Sequence, residues 1–156
     1  MTIRDSIIQL ARAEVANHTP YIWGGQTLGE AVDCSGLVVA ILRKLNLVAP
    51  NWDDTAEGMH HRCHCKSLRD IEEADLIFYG RPDPHPDTKG FLVTHVAIYS
   101  GHTINGQLSV IHARRGDSSC TSTIIAKMKH AQVEESTLWA HTGFLGAGDV
   151  SSLFRK

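Results

Sequence analysis

A cysteine at the predicted start of a helix is the residue of this 156-residue chain best placed to do chemistry. Asp33 is a good helix N-cap, and apolar residues recur at helical spacing after Cys34. Cys34 is therefore predicted to be the first helical residue, where free N–H groups and the helix dipole favour the thiolate and lower the thiol pKa. The alternative is that Cys34 is a small buried hydrophobic residue, as free cysteines commonly are.

Two of the ten histidines are candidate partners for a nucleophilic cysteine. Only His95 and His112 lie in predicted strands where β-branched and apolar residues flank them, whereas the other histidines lie in loops, polar stretches or weakly assigned segments. In a catalytic triad, Cys34 would attack, His95 would accept its proton and His112 would orient the His95 ring. A strand histidine can also be a hydrogen-bonded structural residue, and Asp117 and Asn105 are minor candidates for the third position.

The segment Asn105-Gly106 is typical of a two-residue turn between the strands that carry these histidines. A tight turn with regular pairing would place His112 opposite Tyr99, four residues from His95. Four strand residues span roughly 13 Å, which is too far for a hydrogen bond. The triad hypothesis therefore predicts either a wider loop, about Gly101–Gly106, or a β-bulge in the hairpin.

Helices are predicted in the first half of the chain and strands in the second. Thr2 and Asp5 form a capping-box pattern at the start of the first helix. The predicted helices span residues 2–17, 34–46 and 54–62, and the predicted strands span residues 75–79, 94–99, 108–113 and 138–145. The pattern indicates an α+β domain, with N-terminal helices packed on a central antiparallel β-sheet.

Two segments of the second half are harder to assign. Residues 80–90 contain three prolines, which predicts an exposed loop without regular structure. Residues 122–128 are ambiguous between strand and helix.

The bulk composition excludes several classes of protein. A length of 156 residues fits a single domain, 1–156. The net charge of −2 gives no electrostatic footprint for nucleic acid or an anionic membrane. No apolar run approaches the roughly 20 residues of a membrane span, and the N-terminus has no signal-peptide pattern. Without a signal peptide, synthesis in the cytoplasm is expected. The four cysteines form no recognisable disulfide framework.

The order of five motifs along residues 3–115 resembles that of the NlpC-type cysteine peptidases, which are papain-like bacterial cell-wall hydrolases. These motifs are Tyr21-x-Trp23-Gly24-Gly25, Asp33-Cys34-Ser35-Gly36-Leu37, Asp75-Leu76-Ile77-Phe78-Tyr79, His95-Val96-Ala97-Ile98-Tyr99 and Ile111-His112-Ala113. The resemblance implies a papain-like fold without a metal or organic cofactor. It also implies a peptidoglycan stem-peptide substrate, often cut between D-γ-glutamate and a diamino acid.

The resemblance further assigns roles around the triad of Cys34, His95 and His112. Tyr21 is expected to help the Cys34 N–H form the oxyanion hole. Asp33 and Ser35 match positions that hold the free amino end of the substrate. From the residues themselves, Trp23 is expected to be a core or cleft-wall aromatic beside the substrate, and Gly24 to let the backbone approach the substrate closely.

Departures from the family pattern bear on specificity and context. Glu73-Ala74 stands where Pro-Gly is common, and residues 80–90 are an apparent insertion that would rim the cleft. The absence of a wall-binding repeat and secretion signal suits a phage tail component, an effector exported by another route or a cytosolic recycling enzyme.

Three other functions fit parts of the sequence. An acyltransferase or transglutaminase-like enzyme would use the same thiol and imidazole, because only the acceptor differs. A non-catalytic module, such as a phage tail structural protein, would need neither. The run His60-His61-Arg62-Cys63-His64-Cys65 offers zinc ligands, although adjacent residues cannot easily all reach one tetrahedral ion.

Overall fold

The computed structural model describes residues 1–85 and 90–155. Its centre is a six-stranded antiparallel sheet with helices packed against it, which confirms the predicted α+β class. The helices are α1 (Ile3–Ala16), α2 (Cys34–Lys44), α3 (Ala56–Arg62) and α4 (Thr123–Lys129). The strands are β1 (Gln26–Thr27), β2 (Ala31–Val32), β3 (Cys65–Lys66), β4 (Leu76–Pro82), β5 (Phe91–Ile104), β6 (Gln107–Arg114), β7 (Gln132–Thr137) and β8 (Phe144–Gly148).

The large sheet has the strand order β3-β8-β4-β5-β6-β7, and β1 pairs with β2 in a separate ribbon. Side chains of the central strand β4 alternate between two apolar clusters, as the period of a strand requires. Leu76 and Phe78 pack in the larger cluster, together with Ile7 of α1 and Leu37 of α2. Tyr79 packs in the smaller cluster. No helix in the described residues is long and apolar enough to span a membrane.

The helix signals of the sequence are confirmed closely. Thr2 caps α1 through the predicted capping box with Asp5, and Thr55 caps α3. Asp33 caps α2, so that Cys34 is its first residue. Side-chain oxygens at these positions bond backbone N–H groups that have no partner within the helix.

A buried carboxylate ties the first helix to the sheet. Asp75 is fully buried, and its oxygens accept from Arg4 Nη1 at 2.8 Å and Lys66 Nζ at 2.7 Å. Arg4 Nη2 also bonds Asp149 Oδ1, 2.9 Å away, near the end of the described chain. Asp75 therefore connects α1 with β3, and its partner Arg4 extends the connection to the residues that follow β8.

The strand predictions need correction at several ends. β4 extends through Pro82 and pairs with the start of β5, so residues 80–82 are not irregular as predicted. Asp83 N closes this hairpin on Gly90 O at 3.1 Å, and residues 86–89 of the predicted loop lie outside the described residues. The ambiguous segment 122–128 forms α4, because Ser122 caps it.

The end of the chain was also predicted incorrectly. A short 3-10 helix, Leu138–Ala140, and a loop occupy most of the predicted strand 138–145, and β8 begins only at Phe144. The strand β7 was missed, since its sequence is polar and its strand character comes from pairing with β6.

The β5–β6 hairpin combines a tight turn with a bulge. Asn105 and Gly106 both have positive φ, and Ile104 pairs with Gln107 across the two-residue turn. Three residues of β5, Ser100–His102, then face the single residue Ser109 of β6. The predicted wider loop is therefore wrong, and the bulge alternative is confirmed.

A chain of polar contacts holds the bulge. Ser100 Oγ bonds the hydroxyl of Ser109 and also donates to its carbonyl oxygen at 3.1 Å. Ser109 Oγ donates to Glu135 of β7 at 2.7 Å, and Arg12 of α1 bonds Glu135 at the same distance. Arg12 also reaches His102 Nδ1 at 2.7 Å. The bulge is therefore anchored to both the neighbouring strand and the first helix.

Candidate active site

Cys34 lies at the N-terminus of α2 because Asp33 fixes the turn that precedes it. Asp33 Oδ1 accepts from Gly36 N at 2.6 Å, and Oδ2 accepts from Gly24 N at 2.9 Å. Gly36 has no room for a Cβ, which would overlap the carbonyl oxygen of Gly25. The Gly24-Gly25 turn therefore approaches the first turn of the helix closely, and this contact positions the backbone around Cys34.

The segment that carries Tyr21 lies between β2 and β7. Tyr21 N donates to Ala131 O at 3.0 Å, and Val133 N of β7 donates to Thr19 O at 2.8 Å. On the other side, Val32 N donates to Pro20 O at 3.1 Å. Because Val32 directly precedes the cap of α2, the sheet, the tyrosine and the cysteine are joined through a few backbone bonds.

The Tyr21 ring is buried beside the thiol. A Cβ at Gly116 would overlap the ring, so only glycine permits this packing. Burial raises the Tyr21 pKa above its usual value, and the negative charge of a Cys34 thiolate raises it further. The tyrosine therefore keeps its proton at neutral pH, as a hydrogen-bond donor to an oxyanion must.

His95 and His112 meet directly, as the triad hypothesis requires. His95 Nε2 and His112 Nδ1 are 2.7 Å apart, and both residues are buried. Past the bulge, the β5–β6 register is Ile98 opposite Ile111, which places His112 two residues from His95 rather than four. Side chains two residues apart on one face of a sheet are within reach of each other.

The polar chain continues beyond the predicted triad. His112 Nε2 lies 2.8 Å from Ser136 Oγ on β7. With its Nε2 hydrogen-bonded to His112, His95 has Nδ1 left for another partner. If Nδ1 is the atom that accepts the Cys34 proton, as the triad hypothesis requires, it carries no hydrogen. His95 then donates from Nε2 to His112, and His112 donates from its own Nε2 to Ser136. Ser136 thus completes one consistent set of tautomers.

A third imidazole covers the His95 ring. His141 stacks on His95 with ring centroids 4.1 Å apart and an angle of 18° between the planes. It also meets the edge of the Tyr79 ring, whose hydroxyl donates to Leu138 O at 2.7 Å. Tyr79 therefore supports the short 3-10 helix that leads to His141.

The thiol lies deep in the site, although part of Cys34 remains accessible to solvent. Burial raises the pKa of Cys34 to about 11. A hydrogen bond from the backbone amide of Val96, the residue after His95, acts in the opposite direction and lowers this pKa. Burial also lowers the pKa of His95 well below 6.5, and the neighbouring His112 lowers it further. The expected fall in the thiol pKa is therefore outweighed by burial, and at neutral pH the free site holds a neutral thiol and a neutral imidazole.

The residues predicted to bind substrate surround the start of α2. Trp23 is exposed, with 57% of its surface accessible, and Gly24 is exposed beside it. Ser35 is half-buried and donates to Asp33 Oδ1 at 3.3 Å. These residues form one surface next to Cys34.

The histidine- and cysteine-rich run at 60–65 does not converge on a point. His60 packs edge-on against Phe78 and Phe91, Cys63 lies against Gly148, and Cys65 is exposed. Within residues 1–85 and 90–155, the one group of three side chains that could share a metal ion is His95, His112 and His141.

Three site residues escaped the sequence analysis. Ser136 lies on the strand that was missed, and His141 was assigned to a weakly predicted strand. Gly116 follows Arg115, whose φ of +70° marks a turn after β6 that no local motif signals. Contacts between residues distant in sequence bring Ser136 to His112, His141 to His95 and Gly116 to Tyr21.

Comparison with known proteins identifies a family that matches most of the chain. The model of the NlpC/P60 family matches residues 18–139, which include Tyr21, Cys34, His95, His112 and Ser136. No curated protein sequence matches the chain.

Solved structures share the fold at low sequence identity. An NlpC/P60 family protein from Bacillus cereus ATCC 10987 has a TM-score of 0.67 and 23% identity, over 94% of this chain and 40% of that one. The peptidoglycan hydrolase RipB from Mycobacterium tuberculosis has a TM-score of 0.60 and 20% identity, over 95% of this chain and 64% of RipB. RipD from the same organism is described as a non-catalytic NlpC/p60 domain protein adapted to peptidoglycan binding. It has a TM-score of 0.60 and 20% identity, over 96% of this chain and 98% of RipD. The chain thus spans less than half the length of the Bacillus protein.

Proposed function

This chain belongs to the NlpC/P60 family, and we propose that it is a cysteine peptidase that hydrolyses an amide bond in peptidoglycan stem peptides. The observation that carries the proposal is the hydrogen-bonded chain from His95 through His112 to Ser136, beside a cysteine at a helix N-terminus. A protein that only bound peptidoglycan would need none of these groups.

In the proposed reaction, Cys34 Sγ attacks the amide carbonyl while His95 Nδ1 takes the thiol proton. The Cys34 N–H and the Tyr21 hydroxyl stabilise the oxyanion. His95 then gives its proton to the leaving amine, and a thioester remains on Cys34. His95 next deprotonates a water molecule, which attacks the thioester, releases the carboxylic acid and restores the thiol.

The arrangement of the free site suits general-base catalysis. Because His95 is neutral, it can accept a proton at neutral pH. The His95 imidazolium formed during attack is stabilised by His112 Nδ1, which accepts the Nε2 proton. His112 in turn is held by Ser136.

We propose that the bond cut joins D-γ-glutamate to a diamino acid. The free amino end of such a substrate would carry an ammonium group, which a carboxylate attracts. Asp33 is the carboxylate nearest the nucleophile in sequence, and its oxygens are held by Gly24 N and Gly36 N. Ser35 and the exposed Trp23 would complete this part of the cleft, which would put the enzyme's action at the cell wall.

Two other activities are the competing candidates. An acyltransferase or transglutaminase-like enzyme would form the same thioester, but an amine rather than water would attack it, which forms a new amide and releases the Cys34 thiol. A non-catalytic module would retain binding alone. RipD is described as such a protein, and a phage tail structural module would be another. The complete Cys34, His95 and His112 set favours catalysis.

Digestion of purified peptidoglycan with mass analysis of the fragments tests the proposal. The native protein should release fragments with a new free carboxylate and a new amine, and Cys34→Ala should release none. Fragments joined to an added amine would identify acyl transfer. Cleavage by Cys34→Ala would overturn the nucleophile assignment, and binding of peptidoglycan by both proteins without cleavage would identify a binding module.

A further inference from the structure

The three histidines at the centre of the site form a set of metal-binding donors. One nitrogen from each of His95, His112 and His141 lies within 4.8 Å of the other two. His95 and His112 are buried, whereas His141 is partly exposed. We propose that these residues form an inhibitory site for a zinc-type divalent cation; that binding stops catalysis rests on the proposed function.

The donor set matches the chemistry of zinc. Three neutral imidazoles and one open position form a common zinc environment, with Zn–N distances of about 2.0–2.1 Å. Nitrogens at the corners of such a tetrahedron are about 3.3 Å apart. The His95 and His112 nitrogens, now 2.7 Å apart, would separate slightly, and His141 would turn toward them. His141 follows a short 3-10 helix and is not itself in a strand, so strand pairing does not oppose this turn.

The surroundings of the set also resemble those of a metal site. Histidines that bind metals usually donate their second N–H to an oxygen atom, which fixes the ring. His112 has such a partner in Ser136 Oγ, 2.8 Å from its Nε2. The Tyr79 ring packs against both His95 and His141.

Movement of one proton explains why the ion would inhibit. In the active arrangement, the proton of neutral His95 lies on Nε2, in the hydrogen bond to His112. An ion bound to Nε2 takes the place of this proton, which moves to Nδ1 of the same ring, so no proton is lost. Nδ1 then carries a hydrogen and can no longer accept the Cys34 proton. Zinc would therefore disable the base without using the thiol as a ligand.

Direct binding is the first test, because it does not depend on activity. After treatment with a chelator, the protein is titrated with Zn²⁺ in a calorimeter. We expect one strong site per chain, weakened at least about tenfold by His141→Ala and by His112→Asn, and unchanged in Cys34→Ala. Thermal melts of each variant establish that it is folded.

A matched variant separates this site from the histidine- and cysteine-rich run. Cys63→Ser with His64→Ala removes donors there and should leave the strong site intact. The proposal is overturned if His141→Ala binds zinc as tightly as the native protein, or if the strong site disappears in the double variant. Loss of the strong site in Cys34→Ala would also overturn the three-histidine assignment.

Activity measurements form the second test. Peptidoglycan hydrolysis by the native protein should fall in Zn²⁺ and return on addition of a chelator, and His141→Ala should need at least about tenfold more Zn²⁺ for the same inhibition. Full activity with the three-histidine site occupied would overturn the proposal that zinc bound there inhibits catalysis. If zinc binds there but the protein hydrolyses nothing, the peptidase proposal fails while the metal site stands.

Discussion

His112 lies two residues away from the position opposite His95, and the two imidazoles nevertheless meet at 2.7 Å. The offset would be four residues if pairing continued regularly from the Asn105-Gly106 turn. The bulge at Ser100–His102 absorbs the difference, so that a feature near the turn determines whether the site can form.

Deleting Gly101 and His102 together should preserve the site. Ser100 would then lie opposite Ser109, and Tyr99 would still pair with Val110. We expect hydrolysis of peptidoglycan within about tenfold of the native rate. Deleting Ser100 as well would place Tyr99 opposite Ser109, a slip of one residue that turns His95 and His112 to opposite faces, so we expect a much lower rate. Loss of activity in a folded double deletion would mean that the bulge has another role.

Ser136→Ala should slow catalysis by removing the acceptor that fixes the His112 tautomer. A hydrogen bond of this kind is worth about 1 kcal/mol, which corresponds to a fall in kcat of roughly five- to tenfold. Ser136→Thr keeps the hydroxyl and should retain most of the rate. Nitrogen NMR of the histidine rings would report the tautomer directly, and an unchanged His112 spectrum in Ser136→Ala would contradict this role.

Alkylation of Cys34 should become faster as the pH rises toward about 11, because burial raises the thiol pKa to about 11. Near pH 7 the thiol is protonated, and His95, whose pKa is lowered by burial, does not pair with it as an imidazolium. Mass spectrometry after iodoacetamide treatment measures the rate at Cys34, with the exposed Cys65 as an internal reference. A fast rate already constant from pH 6 would show a thiolate–imidazolium pair instead.

Gly116→Ala should impair catalysis through Tyr21, because the added methyl overlaps the tyrosine ring. Tyr21→Phe removes the proposed oxyanion donor, at a cost of about 100-fold in kcat. If Gly116 acts only by positioning Tyr21, the double variant should be no slower than Tyr21→Phe. Additive losses would show that Gly116 affects the site in another way.

Asp75→Asn should lower the free energy of unfolding by about 3 kcal/mol, since it removes the buried charge that faces Arg4 and Lys66. Glu72→Gln is the matched control. Glu72 contacts the same two cations at 3.4 Å but is largely exposed, so its loss should cost under about 1 kcal/mol. Urea unfolding measures the change in the free energy of unfolding for both variants. Equal changes would contradict the conclusion that burial makes the Asp75 ion pairs more stabilising than those of Glu72.

The sequence was most informative where the physical signal is local. The N-cap at Asp33 and the apolar periodicity after it identify the Cys34 helix, and the strand patterns identify His95 and His112. The bulge could not be located, because Ser100, Gly101 and His102 form no motif and their contacts are with Ser109, Glu135 and Arg12. His141 and Ser136 were missed for the same reason, since each reaches the site through the pairing of distant strands. The sign of the Cys34 pKa shift also depends on burial, which a helix-start motif does not report.

The strand β7 supports two parts of the site at once. At one end its backbone, with the preceding Ala131, holds the Tyr21 segment, and near the other end Ser136 bonds His112. A displacement of this strand along its own axis would move Tyr21, the proposed oxyanion donor, and His112, the proposed partner of the base, together. The two halves of the proposed site are thus mechanically linked, and a variant that shifts β7 would lose both at once rather than one after the other.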